Sequence, residues 1–372
     1  MEKKEYCSLG IMSGTSLDGL DFSLIKTDGK ENVKNLINGY FEFSVKFRRS
    51  IKKLIRNFNN LNYKKKLESN EFKQINQKFT ELIIEKINFF FSTNAVNLDD
   101  IDIIGLHGNT LLHEPSKGFS IQLGNPKYLS NNLKKPIVFN FRDNDIKNHG
   151  QGAPLVPIYH KAIFSDVGKN IMTVNIGGIS NFSLLIGKRK MIASDIGPGN
   201  KLIDDFCLLN FDKLFDKNGE LSSKGKIIPE LIDDWKKKKF LKKPFPISFD
   251  NSYFKLKDFS YKKKKNLDIL RTLTFFSAYL ISNFQKKLNN KIDKWFFSGG
   301  GTKNYTLMKD LKDLLGKENV FLTSELGFDP FFIESQAFAY IAVRTLKKLP
   351  SSFPETTGCK KSGCCGFIYH PS

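Results

Sequence analysis

The stretch from Gly10 to Ile25, Gly-Ile-Met-Ser-Gly-Thr-Ser-Leu-Asp-Gly-Leu-Asp-Phe-Ser-Leu-Ile, constrains the fold more than any other. Leu9 and Ile11 alternate with small residues, as in a buried strand. Leu20, Phe22 and Leu24 alternate with Asp21 and Ser23, as in a strand that returns. Between the two, Ser13-Gly14-Thr15-Ser16 sets one permissive glycine among three hydroxyls. Such a tip can turn its N–H groups toward an anion. Asp18 and Asp21 follow closely enough to hold a nucleotide's magnesium through water. Taken alone, the pattern reads as an ordinary polar hairpin, because short motifs recur by chance.

Two later segments alter that reading. Asn175-Ile176-Gly177-Gly178-Ile179-Ser180-Asn181 and Phe296-Phe297-Ser298-Gly299-Gly300-Gly301-Thr302-Lys303-Asn304 both place glycines directly after an apolar run. Ile171–Ile176 reads as a strand, Gly177-Gly178 as a turn and Phe182–Ile186 as a returning strand. A second strand, glycine turn and strand, about 160 residues after the first, suggests two related lobes that each contribute a phosphate hairpin.

At 372 residues the chain is long for one core, which favours two domains. The lobes are expected at residues 1–137 and 138–349, crossing near Pro136, with residues 350–372 free to return to the first. The net charge of +21 raises polyanions as partners. The lysine runs at Lys64–Lys66, Lys236–Lys239 and Lys262–Lys265, however, lack the interleaved stacking aromatics of single-strand binders and read as solvated faces. No nucleic-acid and no membrane partner is expected, since the longest apolar runs fall far short of a membrane span. Five cysteines without framework spacing, and no signal-peptide core, fit the cytoplasm.

Residues 45–92 lack glycine and proline and carry Phe79, Leu82, Ile83, Ile87 and Phe90 at helical intervals, which predicts one or two helices. Ile101–Leu106 reads as a buried strand ending in His107-Gly108-Asn109-Thr110. The ends of such strands face ligands in open α/β sheets, so His107 is either a ligand contact or a satisfied structural histidine. After the strand Ile137–Phe141, Arg142 can clamp a carboxylate or phosphate, or pair with Asp143 or Asp145. A helix is predicted at Tyr159–Phe164. Asp195 precedes the stiff turn Gly197-Pro198-Gly199 and a helix from Lys201 to Leu209, a placement that suits a general base or a helix cap. Residues 212–268 read as a Lys-rich surface excursion, and Ile269–Leu288 as a long amphipathic helix. Walker A, protein-kinase and His-Glu-x-x-His motifs are absent, and the spacing of Cys359, Cys364, Cys365 and His370 is not a usual zinc pattern.

In number and order, these blocks resemble the anhydro-N-acetylmuramic acid kinases, a branch of the sugar-kinase, heat-shock-protein and actin ATPase superfamily. The likeness runs nearly end to end. It is carried by Met12–Gly19 with Asp21; His107–Thr110 with His113-Glu114-Pro115; Gln122-Leu123-Gly124; Phe141-Arg142 with Asp145; Gly150–Pro157; Asn175–Asn181; Asp195 with Gly197–Asn200; Gly299–Gly301 with Asn304; and Glu334 with Ala337-Phe338-Ala339.

The resemblance implies an α/β fold of two RNase H-like, actin-like ATPase lobes, with mixed sheets flanked by helices around a deep interlobe cleft. It implies an enzyme that uses ATP and Mg2+ to open the 1,6-anhydro ring of anhydro-N-acetylmuramic acid and phosphorylate O6, giving the 6-phosphate in cell-wall recycling. Asp195 matches the base that activates water. Ser13, Gly14, Thr15, Ser16, Asp18, Gly19, Asn175, Gly177, Gly178, Gly299, Gly300, Gly301 and Asn304 match the ATP and phosphate contacts, with Asp18 near the magnesium. His107, Asn109, Arg142, Gly197, Asn200 and Glu334 match the sugar side. A homodimer is the expected assembly.

The chain departs from the family where Asn109 replaces the usual Gln and Asn140 replaces an Asp before Phe141-Arg142. It departs again where Ile247–Ser252 does not keep the run Lys-Ser-Thr-Gly-Arg-Glu. Met12 stands where most of the superfamily has Asp, a feature of this branch. The altered segment leaves a plainer anhydrohexose, such as levoglucosan, as an alternative substrate. The net charge leaves a non-enzymatic basic binding protein as a more distant one.

Overall fold

The computed structural model describes residues 4–14, 17–58, 63–164, 170–187, 190–243, 246–249, 253–261, 264–288 and 291–372. The chain forms two units, residues 1–163 with 332–372 and residues 164–331.

The first unit opens with the meander that its alternating residues predict: β1 (Tyr6–Ser13), β2 (Gly19–Thr27) and β3 (Val33–Glu42), each antiparallel to the next. β4 (Ile103–Glu114) lies parallel to β1, and β6 (Ile137–Phe139) parallel to β4. β5 (Phe119–Leu123) folds back on the far half of β4, and Phe367–Tyr369 closes the edge antiparallel to β6. The central order is therefore β3-β2-β1-β4-β6.

Two features fix this sheet's faces. A helix at Ile333–Leu346 lies so close to the centre that a Cβ added at Gly10 would stand 2.7 Å from the Ala339 nitrogen, and one at Gly105 would stand 2.9 Å from the Phe338 carbonyl carbon. Only glycine permits that approach. The helix Asn70–Thr93, capped by the Ser69 hydroxyl, buries Phe72, Ile75, Phe79, Ile83, Ile87 and Phe90 at the spacing of one helical face. Phe90 meets Phe22 edge-on, with ring centres 5.7 Å apart.

The second unit repeats the topology. β7 (Asn170–Ile176), β8 (Ile179–Ile186) and β9 (Lys190–Pro198) form the antiparallel meander. β10 (Lys294–Ser298) is parallel to β7, and β11 (Val320–Leu322) to β10. The order β9-β8-β7-β10-β11 is that of the first sheet. The helix Asn266–Phe284 packs its apolar face into the core, beginning three residues before the periodicity alone suggests.

Two expectations change. Residues 138–163 and the helix Ile333–Leu346 lie in the first unit, because β6 pairs with β4 and the helix seats on Gly10 and Gly105. Among the described residues of 212–268, the short helix Pro229–Trp235 stands amid turns, and Trp235, Phe240, Phe254 and Phe259 are buried in the core of the second unit. The lysine density hides these aromatic anchors, and Lys238 lays its ammonium over the Phe259 ring.

Candidate functional site

In the first unit the site begins where β1 ends. Leu17, with a left-handed φ of 60°, donates its N–H to the Gly14 carbonyl and closes the turn. Thr15 and Ser16 lie outside the described residues. Register places Asn109 of β4 beside Ser13 of β1. The Asn109 amide nitrogen donates to the Gly14 carbonyl at 2.7 Å and to Ser13 Oγ at 3.2 Å. Asn109 is thus a brace for the turn, and its Oδ1 is buried without a partner among the described residues. Asp18 is exposed, and its backbone carbonyl accepts from Phe43 N–H. Burial, and then the Asp18 and Glu42 carboxylates, raise the Tyr40 phenol above its ordinary value, which places Asp18 on the Tyr40 side of the hairpin. Gly19 serves packing, since a Cβ there would meet Tyr40.

His107 is buried. Arginine can only donate, so His107 Nε2 accepts from Arg142 Nε at 3.2 Å and from its NH2 group at 3.0 Å, and Nδ1 carries the proton toward the Gly108 carbonyl. Burial, and then the Arg142 charge, hold this imidazole well below its usual pKa, and it is neutral at pH 7. Both ring nitrogens are engaged, so His107 orients Arg142 and presents no free nitrogen to a ligand.

Arg142 also donates to the Gly152 carbonyl at 2.8 Å. Its hydrogen bonds go to neither Asp143 nor Asp145. Asp145 instead holds the Gly152 N–H at 2.6 Å and the Thr357 hydroxyl at 2.6 Å. Glu334, in the first turn of Ile333–Leu346, is raised by burial and lowered by the Arg142 charge, which puts the two in electrostatic contact. Asn140 takes a left-handed φ of 56°, a conformation that Asn and Asp tolerate. The Asp-to-Asn departure keeps that backbone, and His107 supplies the orienting contact a carboxylate would have made.

In the second unit the Gly177-Gly178 turn is braced from below. Its carbonyls accept from the backbone N–H groups of Gly199, Asn200 and Lys201 at 2.8–3.1 Å. Gly299 and Gly301 are pressed against Asn175 and Ile176, whereas a Cβ at Gly300 would meet nothing within 4 Å. The Ser180 hydroxyl, just behind the turn, is buried without a partner among the described residues. Asn304 spends its Oδ1 capping the helix Tyr305–Leu315, accepting from Leu307 N–H at 3.0 Å. Asn200 Nδ2 reaches the Ile176 carbonyl at 3.4 Å. Gly197 is buried, and a Cβ there would lie 3.1 Å from the Phe240 ring, so its smallness serves the core.

Asp195 stands on β9 opposite Asn181. Its backbone N–H donates to the Ile247 carbonyl at 2.9 Å, and its Oδ2 accepts from Phe249 N–H at 2.6 Å. Oδ1 has no hydrogen-bond partner among the described residues. Burial raises the carboxyl to about 7, opposed by the Phe249 N–H. Sequence reasoning missed Ser194, whose hydroxyl accepts from Ile247 N–H at 2.8 Å, and the role of Asp145. The departure from the family's run at Ile247–Ser252 was the one signal pointing here, and residues 250–252 lie outside the described residues.

A 3-2-1-4-5 sheet built twice, each copy beginning with a meander whose first turn is glycine-bearing and backed by an orphaned polar atom, defines a protein of the actin-like ATPase class. A family model described as anhydro-N-acetylmuramic acid kinase matches residues 6–371. The chain belongs to that family. The anhydro-N-acetylmuramic acid kinase of Rhodopseudomonas palustris is 36% identical over 369 residues, covering 98% of this chain and 99% of the relative. That of Pelagibacter ubique is 37% identical over 385 residues, with the same coverage. Among solved structures, the (R)-2-hydroxyglutaryl-CoA dehydratase component A of Acidaminococcus fermentans aligns over 92% of this chain and 100% of its own, at 10% identity and a TM-score of 0.46. That likeness is too slight to carry an inference. No helix among the described residues is long and apolar enough to cross a membrane, and no group of three His, Cys, Asp or Glu among them is placed to hold a metal ion.

Proposed function

We propose that the chain transfers the γ-phosphoryl group of ATP to O6 of anhydro-N-acetylmuramic acid while water opens the 1,6-anhydro bond. The products are N-acetylmuramic acid 6-phosphate and ADP. The observation that carries the reading, within this family, is Asp195. Its carboxyl stands near pH 7, with one oxygen held by a backbone N–H and the other without a hydrogen-bond partner among the described residues. That is what a general base requires.

The steps balance on the atoms. A lone pair of the water oxygen forms the bond to C1, and the C1–O6 bond breaks. O6 forms the bond to the γ-phosphorus as the bond from that phosphorus to the β,γ-bridging oxygen breaks and ADP leaves, and Asp195 Oδ1 takes the water's proton. Arg142, aimed by His107 and the Gly152 carbonyl, is suited to the sugar's anionic lactyl carboxylate, with Glu334 accepting from a hydroxyl.

The residues present fit a nucleotide. The Ser13-Gly14 and Gly177-Gly178 turns would hold phosphate oxygens, and the open space over Gly300 lets backbone lie against the nucleoside. The Ser180 hydroxyl, buried without a partner among the described residues, has a proton to donate to a phosphate oxygen. Asp18 would hold magnesium through water, and the ion would supply neutralisation of the charge that develops in transfer. We assign the active form to a homodimer in the cytoplasm, on the resemblance and on the cysteine usage.

The test is ADP formation that depends on the anhydro sugar, with phosphorus NMR locating the product phosphate. Phosphate on O6, with levoglucosan used far less efficiently, supports the reading. Sugar-independent ATP hydrolysis, or equal use of levoglucosan, overturns it.

A further inference from the structure

The Asp195 carboxylate owes its aim to a neighbour that never reaches the reacting atoms. Residues 246–249 belong to no helix and are tied to β9 by three hydrogen bonds, with a fourth as one of two choices open to the Ser194 hydroxyl. Asp195 N–H donates to the Ile247 carbonyl at 2.9 Å, and Ile247 N–H donates to Ser194 Oγ at 2.8 Å. The Ser194 hydroxyl donates in turn to the Asp195 carbonyl at 3.0 Å or the Ile247 carbonyl at 3.3 Å, and Phe249 N–H donates to Asp195 Oδ2 at 2.6 Å. Ser194 is fully buried, and its hydroxyl and the Asp195 carboxylate are the two β9 side-chain groups that hold the described part of this segment.

An isolated two-bond contact between a strand and an irregular segment would let the segment slide. The hydroxyl accepts from one side of the Ile247 peptide and donates beside the other, which fixes the segment's register. Two residues further along, that register decides whether the Phe249 N–H points at the carboxylate or past it.

We propose that Ser194 is a positioning residue for the general base. Its hydroxyl ties residues 246–249 to β9, aims the Phe249 N–H at Oδ2, and leaves Oδ1 facing the attacking water. The inference rests on Asp195 acting as the base, and it explains how this chain orients that base although its segment departs from the family's run. Burial, opposed by the Phe249 N–H, sets the proton affinity of Asp195, and no charged side chain among the described residues contributes to it.

The test compares Ser194→Ala and Ser194→Thr with the full-length enzyme, using kcat, KM, the pH profile of kcat and hydrogen–deuterium exchange. In Ser194→Ala the Phe249 N–H no longer stabilises the anion. The acidic limb then moves to higher pH and kcat falls about tenfold, the worth of one aimed hydrogen bond, with both KM values within about twofold. Ser194→Thr, which keeps the hydroxyl, restores the limb. In the wild type the Ile247 and Phe249 amides exchange slowly although no helix or strand contains them, and Ser194→Ala releases both.

An unchanged acidic limb in Ser194→Ala overturns the inference, and so does rapid exchange at Phe249 in the folded wild type. Should Ser194→Ala fail to fold, that wild-type exchange and the Ser194→Thr profile decide alone. Exchange reports the tether without reference to turnover, and Asp195→Asn reports the base. Full activity in Asp195→Asn would therefore remove the assignment of the base even where the tether is confirmed.

Discussion

Replacing Asp195 by Asn sets activity against stability, and both magnitudes follow from the geometry. The amide is nearly isosteric, and its oxygen can still accept from Phe249 N–H. It cannot take a proton from water, so kcat should fall by about 10²–10⁴. Stability moves the other way. The carboxyl titrates near 7 in the fold against 3.8 when unperturbed, so keeping it ionised in the fold costs at most about 4 kcal/mol. Because the folded value is raised, this cost is complete above pH 7, shrinks as pH falls and is gone below 3.8. The variant escapes it, less what its own N–H loses in finding no acceptor. A net gain of about 1–3 kcal/mol at pH 8 should therefore dwindle to nothing near pH 4. Urea unfolding of both proteins at pH 4, 6 and 8, followed by a probe in the second unit, measures the gain. A variant that is equally stable at every pH, or that is less stable at pH 8, would refute the picture of a buried, high-pKa carboxylate.

The remaining predictions concern the two glycine turns and the cores that carry them. Asn109→Ala removes the brace under Gly14, and KM for ATP should rise about tenfold, the worth of one or two buried hydrogen bonds, with little change in thermal stability beyond about 1–2 kcal/mol. Arg271→Ala strands Asp310, which it binds through two contacts of 2.6 Å inside the second unit, and chemical denaturation should show a loss of about 3–5 kcal/mol. Gly10→Ala drives a methyl into the backbone of the helix Ile333–Leu346 and should cost more than about 3 kcal/mol, visible as lost soluble yield or a lowered Tm. Gly300→Ala meets nothing within 4 Å, so Tm should stay put while KM for ATP rises.

Most of the architecture was legible because it rests on alternation. Leu9, Ile11, Leu20, Phe22 and Leu24 declare β1 and β2, and the same pattern at Ile171–Ile186 announces that the unit is built twice. Boundaries were less legible. Nothing local to Ile333–Leu346 says that it seats against Gly10 and Gly105, more than 200 residues earlier, and that contact assigns it to the first unit. The same holds for residues 212–268, where exposed lysines outnumber the few aromatics that do the packing.

At the site, sequence identified which residues gather but not which atoms remain available. His107 and Asn109 stand where ligand contacts are expected, yet one spends both nitrogens on Arg142 and Gly108, and the other spends its amide on the turn. Gly19 and Gly197 match site motifs because their neighbours Tyr40 and Phe240 forbid a side chain. Such allocation depends on tertiary distances that no spacing rule encodes.

The central claim is that water attacks the anomeric carbon while O6, the oxygen of the anhydro bridge, receives the phosphoryl group. The most direct measurement is turnover of ATP and anhydro-N-acetylmuramic acid in 18O-labelled water, with the product read promptly by mass spectrometry and carbon NMR. The account expects one heavy oxygen per product, at C1, and none in the phosphate. Heavy oxygen in the phosphate, or a phosphorylated sugar whose anhydro ring is intact, would contradict it.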